Sequence, residues 1–230
     1  AVTADGGAAA PIDAVVSRPR AHGRVGMGGV AYDDQAGGYI DDIGLGRNDT
    51  NSAHSYGGRL ALRGRLGETW QAGVSYATQE INVKNSQYVE GGLGAYSRRL
   101  FLREPHDNDV SHLSFTLEGT LAGATVKAAV NHLHHRLRTR YDAGSLGMPQ
   151  VATGSLAYDE NQRVELATED VSLSSRPDQR VRWLVGLFGS QSSETFLPSL
   201  VFPSNGAAVY GEHRHDQIDT VASFGEIAVD

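Results

Sequence analysis

Residues 57–76 read GGRLALRGRLGETWQAGVSY, and apolar and polar side chains alternate on both sides of a short turn. Three leucines share one parity and three arginines share the other. These six residues are Leu60, Leu62 and Leu66 against Arg59, Arg63 and Arg65. Because successive side chains of a strand point to opposite faces, this stretch predicts a β-hairpin with one apolar and one cationic face. The leucines must meet either lipid or a second sheet.

Similar period-two alternation recurs along the chain, most clearly in HLSFTLEGTL at residues 112–121. No convincing helical periodicity occurs, so the sequence predicts an all-β, antiparallel protein. We expect eight strands, at residues 24–32, 56–66, 69–80, 112–121, 124–138, 163–174, 180–190 and 218–229. Most of them reach the roughly 9 to 11 residues that a tilted strand needs to cross a bilayer.

The predicted connections alternate between very short and very long. The short ones lie at Gly67-Glu68, Ala122-Gly123 and Arg176-Pro177-Asp178, and the long ones at residues 33–55, 81–111, 139–162 and 191–217. If consecutive strands are antiparallel neighbours, all short turns lie at one end of the sheet and all long loops at the other. This asymmetry is typical of transmembrane β-barrels, with short periplasmic turns and long extracellular loops.

The register of each hairpin follows from keeping the apolar side chains on one face. The pairs predicted beside the three turns are Leu66 with Trp70, Leu121 with Ala124, and Leu173 with Val181. The tryptophans Trp70 and Trp183 then lie near the same rim, where tryptophan favours a membrane interface.

The apolar parity inverts midway along two predicted strands, residues 124–138 and 163–174. A β-bulge in each strand would restore the facing. Alternatively, the outer half of each strand extends beyond the bilayer and does not follow the pattern.

Composition restricts the classes of function. The 230 residues carry a net charge of −7 and no cysteine. No basic stripe is present, which argues against a nucleic-acid partner, and disulfides and cysteine-based zinc sites are excluded. No apolar run approaches the roughly 18 residues of a membrane helix. The chain begins at Ala1 and stops at Asp230 directly after a predicted strand, so we expect a piece of a longer protein.

Three segments together resemble the TonB-dependent outer-membrane receptors. Residues 36–79 are similar to the early barrel of that family, with its Gly-Tyr-Ile-Asp segment and Gly-Gly-Arg strand. Residues 164–191 look like its Ser-Ser hairpin with Trp-x-x-Gly-x-Phe, and residues 222–230 like its Phe-Gly-Glu strand. The family usually has arginine where this chain has Ser172.

The resemblance implies that residues 1–230 are part of a 22-stranded barrel, without the plug domain and the C-terminal strands. The arginines at positions 59, 63 and 65 would line the lumen beside that plug. The implied function is active import of a scarce nutrient, such as a metal chelate, a cobamide or an oligosaccharide. The implied partners are the TonB energy-transducing complex, the nutrient and outer-membrane lipid, with no cofactor. A porin-like passive channel and a soluble β-sandwich binding module are the alternatives.

Within the receptor interpretation, ligand contacts would lie in the long loops. Tyr88, Tyr96, Arg98 and Arg99 are the candidates, in the segment NSQYVEGGLGAYSRRLFLREPHDND. No nucleophile elbow, HExxH motif or compact carboxylate pair indicates an enzyme.

Two further clusters contain side chains that could bind a ligand. The histidine pairs His132/His134 and His213/His215 each share a strand face and could hold a metal, although neither has an obvious third ligand. Arg136, Arg138 and Arg140 also share a face. They could attract an anionic substrate at the extracellular mouth, or pair with carboxylates of neighbouring strands.

Overall fold

A computed structural model describes residues 10–20, 24–144 and 156–229, and nearly all of these lie in strands or in the loops that join them. The strands in chain order are β1 (Ala10–Arg20), β2 (Val25–Ala36), β3 (Asp41–Asp42), β4 (Ala53–Leu66), β5 (Trp70–Val83), β6 (Ser97–Arg98), β7 (His106–Leu121), β8 (Ala124–Asp142), β9 (Ala157–Ser174), β10 (Val181–Val201), β11 (Ala208–Gly211) and β12 (Arg214–Val229). None of the described residues forms a helix that is long and apolar enough to cross a membrane.

Ten strands form one antiparallel sheet in the order β1-β2-β4-β5-β7-β8-β9-β10-β11, and β12 also pairs with β10. Each long strand therefore lies beside the next long strand in the sequence. The sheet is an open, continuous wall with β1 at one edge and β12 at the other. The all-β, antiparallel class predicted from the sequence is confirmed.

All eight predicted strands are present, and most are longer than predicted. The longest are β8 with 19 residues and β10 with 21 residues. The alternation did not reveal β1 or the short strands β3, β6 and β11.

Two of the three predicted turns are confirmed. Leu66 pairs with Trp70, and Leu121 pairs with Ala124. Ala122 and Gly123 both have positive φ, 50° and 85°, the backbone of a two-residue turn that matches the twist of the flanking strands.

The predicted register of the third hairpin is wrong. Leu173 pairs with Val185, four residues beyond Val181. The hairpin closes where the Ser175 N–H donates to the Trp183 carbonyl at 2.9 Å, so the turn is wider than three residues. The shift is an even number of residues, and the faces of both strands are therefore as predicted.

Of the two alternatives for the parity inversion, the β-bulges are wrong. The pairing of β8 with β7 and with β9 runs without a register shift over the whole described ladder. The parity inverts because the chemistry of the two faces changes along the strand. In the half of β8 nearer the long loop, histidine and arginine lie on the face that is apolar in the other half. Leu133, Leu137 and Tyr141 lie on the opposite face. This agrees with strands that extend beyond a bilayer.

The wall has one apolar and one polar face in its lower half. The leucines of the opening stretch are exposed on one face, with Leu60 at 52% and Leu66 at 55%. In the described ranges the strands form a single main sheet, and no second sheet covers these leucines. We call this exposed stripe of aliphatic and aromatic side chains the apolar belt. Its other members include Phe115, Leu117, Val130, Val171, Leu187 and Ile227.

The apolar belt crosses the rows of paired residues diagonally. One row begins with Leu60, Tyr76 and Leu113 on β4, β5 and β7. The same row continues to His132 on β8 and Asp219 on β12. A bilayer is flat and perpendicular to the axis of a barrel, so the apolar belt must lie level in the membrane. Because the belt crosses the rows of paired residues diagonally, the strands must be tilted relative to the barrel axis. Strand tilt and stagger of this kind are conditions for closing a sheet into a barrel.

Candidate functional site

The long loops after β2 and β5 are joined at the loop end of the wall. The two-residue strands β3 and β6 pair in parallel, with Asp41 opposite Ser97 and Asp42 opposite Arg98. Backbone hydrogen bonds extend this contact, because Ile43 donates to the Arg98 carbonyl at 2.9 Å. The two loops therefore form one folded unit above the sheet.

A buried ion pair lies at the centre of this unit. Arg98 is 3% exposed and Asp42 is fully buried, and the Arg98 Nε donates to Asp42 Oδ2 at 3.2 Å. The other carboxylate oxygen accepts three backbone N–H groups, from Gly44, Leu45 and Leu100, each at 3.1 Å. Asp42 thus satisfies donors from both loops at once.

The rest of the Arg98 guanidinium is also paired. Its Nη1 donates to the Ser86 carbonyl at 2.6 Å, and its Nη2 donates to Thr50 Oγ1 at 3.2 Å. Glu104 lies 3.9 Å from Nη1 and accepts a hydrogen bond from the Ser86 hydroxyl. We call these five residues, Asp42, Thr50, Ser86, Arg98 and Glu104, the loop node.

One of the predicted ligand residues is part of the loop node. The Arg98 guanidinium is buried and holds the two loops together, and its role as a ligand contact stays a prediction. Tyr88 and Tyr96 are 71% and 51% exposed, and Arg99 is exposed as well. Tyr96 packs edge-on against Tyr39, with ring centroids 5.7 Å apart. A ligand role for Tyr88, Tyr96 and Arg99 stays a prediction.

A row of aromatic residues that the sequence did not reveal lies at the loop end of β8 to β11. Tyr141 pairs with Tyr158, Tyr158 with Leu200, and Leu200 with Tyr210. The Tyr141 and Tyr158 rings stack with centroids 6.4 Å apart. By parity this row faces the same side as the arginines of β4. We call Tyr141, Tyr158 and Tyr210 the tyrosine ledge.

The tyrosine ledge rests on a small apolar cluster and lies beside carboxylates. Leu200 and Leu156 are buried there and pack against Tyr158. Burial raises the pKa of Tyr141 and of Tyr158, and Glu160 adds to both effects. The Tyr210 hydroxyl donates to Glu212 at 2.6 Å, and this hydrogen bond raises its pKa. The three phenols therefore stay neutral donors at physiological pH.

The lower half of the same face is lined by charged and polar groups. Arg59, Arg63 and Arg65 are exposed there, opposite the leucines. Nearby on this face, Lys127 lies 3.6 Å from Glu118. Water or another protein segment can solvate such a surface, which fits the predicted lumen.

In the part of the chain that the structure describes, the histidine pairs contact carboxylate and hydroxyl side chains. His134 Nδ1 lies 2.6 Å and His132 Nε2 lies 3.3 Å from the same carboxylate, Glu165. His215 contacts Thr195 instead. Among the described residues, no group of three or more histidines, cysteines or carboxylates is placed to hold a metal ion.

The single-layer wall, its staggered belt and its alternating turns define the fold as a segment of a wide antiparallel β-barrel. No family model matches the chain, and no curated protein matches it by sequence. Among solved structures, it is similar to the ferric yersiniabactin uptake receptor FyuA from Yersinia pestis, with a TM-score of 0.73 and 11% identity. The match covers 95% of this chain and 42% of that receptor. The chain therefore spans less than half of the receptor whose fold it shares.

Proposed function

We propose that the chain is part of the barrel of a TonB-dependent outer-membrane receptor that imports a scarce nutrient. This proposal rests on one observation: the two faces of the same sheet differ in chemistry, one apolar and one charged. An apolar belt is exposed on one side, and charged side chains of the same strands are exposed on the other. Lipid outside and water or a plug inside is the environment that suits both faces.

A soluble β-sandwich is disfavoured, because a sandwich seals such leucines between two sheets. A porin-like channel shares the two faces, so the distinction lies in the loops and the partners. The folded loop node and the tyrosine ledge favour a receptor, since both offer ordered surfaces at the mouth of the barrel. The likeness to an uptake receptor supports the same choice. The plug and further strands of the barrel belong to this proposal.

The tyrosine ledge is the ligand-contacting surface that we favour. Its phenol rings offer flat faces for stacking, and their hydroxyl oxygens can accept hydrogen bonds from a ligand. Glu160 and Glu212 lie beside these rings and repel anionic cargo. Of the three predicted cargo classes, this chemistry favours an oligosaccharide over an anionic metal chelate, with Tyr88, Tyr96 and Arg99 as outer contacts.

The test is uptake by cells that carry the full-length protein, in strains with and without TonB. Oligosaccharide, cobamide and ferric-chelate probes are compared. We expect TonB-dependent uptake of one class, lost on replacing Tyr158 and Tyr210 together by alanine and retained in Tyr76→Ala, a tyrosine on the outward face. Equal uptake in both strains would support the passive channel and overturn the receptor proposal.

A further inference from the structure

The tyrosine ledge offers a ligand mainly hydrogen-bond acceptors and ring faces. The Tyr210 hydroxyl donates to Glu212 at 2.6 Å, and the Tyr158 hydroxyl is hydrogen-bonded to Glu160. These two O–H groups are therefore in use, whereas the phenol oxygens can still accept. An ionised carboxylate has about four lone-pair sites, so each glutamate also retains acceptor capacity beside its phenol. A ligand of this surface must bring its own donors.

The charged groups that act on the tyrosine ledge are carboxylates. Burial raises the pKa of Tyr158 most, and the negative charges of Glu160 and Glu212 raise it further. Burial also raises the pKa of Tyr141, and Glu160 and Glu104 add to that effect. For all three ledge phenols every cause of the shift raises the pKa, so none of the described cations lies near enough to lower it. The electrostatic potential at the ledge is therefore negative.

The two glutamates of the ledge lack a counter-ion among the described residues. Neither Glu160 nor Glu212 forms an ion pair of 4.0 Å or less in that part of the chain. The residues directly opposite Glu160 are Thr139 and Pro198, and both are uncharged. Glu212 also lies beside Pro198, because its N–H donates to the Pro198 carbonyl at 3.0 Å. Beyond Thr139 in the same row lies His106, whose Nδ1 contacts the Thr139 hydroxyl at 2.8 Å.

The arginines next to the ledge in the sequence are paired elsewhere. Arg140 binds Asp159 through two hydrogen bonds of 2.6 and 2.7 Å, and both side chains lie on the outward face. Arg214, two positions after Glu212, donates to Asp216 at 2.8 Å. The sequence of residues 145–155, which connect β8 to β9, contains no lysine or arginine. Glu160 and Glu212 both act on Tyr158, and two neighbouring carboxylates repel each other unless a cation lies between them.

The rings of the ledge add to its preference for a cation. Tyr141 and Tyr158 stack with centroids 6.4 Å apart, and the face of an aromatic ring attracts a cation. Tyr88 of the loop after β5 adds to the raised pKa of Tyr141, which places a further exposed ring beside the ledge. Tyr141 and Tyr210 are three strand spacings apart, about 14 Å. A surface of that length suits a chain of several rings better than a single small amine.

We propose that the tyrosine ledge binds the protonated amine of an amino sugar within an oligosaccharide cargo. This inference rests on the proposed function and narrows its substrate class. The ammonium group has three N–H donors and no acceptor, which matches a site of acceptors. It lies against the Tyr158 ring and donates to Glu160 and Glu212, while neighbouring sugar rings stack on Tyr141 and Tyr210.

The test measures the affinity of the full-length protein in detergent for four probes. Three are tetrasaccharides with the same linkage that differ in one substituent of each ring: a glucosamine tetramer, its N-acetylated counterpart and a glucose tetramer. The fourth is spermidine, a cation without a sugar ring. In mildly acidic buffer, where the amines are protonated, we expect the glucosamine tetramer to bind at least about tenfold more tightly than each other probe.

Replacing Glu160 and Glu212 together by glutamine separates charge from folding. The double variant should bind the glucosamine tetramer about tenfold more weakly, because the two negative charges are lost. Its affinity for the N-acetylated tetramer should be unchanged, which shows that the ledge is folded. The matched control replaces Glu118 by glutamine and Asp170 by asparagine. Both residues lie on the same face nearer the short turns, so this variant should bind the glucosamine tetramer normally.

Three results would overturn the proposal. They are equal affinity for the glucosamine tetramer and its N-acetylated counterpart, equal affinity for the glucosamine tetramer and spermidine, and equal losses in the double variant and its control. If the tetrasaccharides bind without preference for the amine and uptake depends on TonB, the amine specificity alone is wrong. If no tetrasaccharide binds and uptake is equal with and without TonB, the proposed function fails together with it.

Discussion

Replacing Asp42 by alanine should release the two long loops from each other while leaving the sheet folded. The Asp42 carboxylate accepts one hydrogen bond from the Arg98 guanidinium and three from backbone N–H groups of the two loops. Alanine removes all four acceptor contacts. The guanidinium, 3% exposed, then keeps Ser86, Thr50 and the more distant Glu104.

The size of the effect follows from the burial of this pair. Removing one partner of a buried, hydrogen-bonded ion pair costs about 3 to 5 kcal/mol. Glu104 remains 3.9 Å from the guanidinium, so we expect the lower end, about 3 kcal/mol. Since each 1.4 kcal/mol is a factor of ten, local opening of the loops becomes roughly a hundredfold more frequent.

Hydrogen exchange of the full-length protein measures this opening at single amides. The amides of Ile43 and Asp41, which donate across the two loops, should lose about two orders of magnitude of protection, while sheet amides of β5 keep theirs. Asp41→Ala is the matched control, because Asp41 accepts a single exposed hydrogen bond, from the Asp49 N–H at 3.1 Å. Protection in Asp42→Ala that equals the control would refute the anchoring role.

Two further substitutions test the faces and the packing of the wall. Leu60→Arg should lower the free energy of unfolding in lipid by about 2 to 4 kcal/mol, because it places a charge in the apolar belt. The control Ala61→Arg, on the opposite face, should change the free energy of unfolding little. Equal effects of the two variants in denaturant titrations would contradict the assignment of faces. Gly119→Ala should cost about 1 to 3 kcal/mol, because its Cβ would overlap the Trp70 ring. Gly189→Ala, where a Cβ meets nothing within 4 Å, is the control, and equal melting temperatures of both variants would exclude the overlap.

Much of the sheet could be predicted because strand faces and tight turns depend on residues that are close in sequence. The alternation in residues 57–76 assigns the leucines and arginines to faces, and Gly123 marks a two-residue turn. The third hairpin register was missed because parity fixes a pairing only to within an even number of residues. Of the two alternatives for the parity change, the β-bulge is wrong, because the sequence alone does not distinguish a backbone irregularity from a change in the environment of the faces. The backbone is continuous there, and the environment of the faces changes instead.

The candidate site could be predicted only in part. The residue types in the loop were visible in the sequence, but the burial of Arg98 was not, since its partner Asp42 is 56 positions away. The tyrosine ledge combines residues from three strands, and only their register together with β10 places them in one row.

The sequence by itself determined the class of structure: antiparallel strands with one apolar and one polar face, and turns that alternate in length. Strand faces and tight turns depend on neighbouring residues, so a single sequence carries them. The tertiary structure alone decided which arginine is buried and which tyrosines meet. Those facts depend on pairing between distant strands, where the free energy comes from contacts that no local pattern encodes.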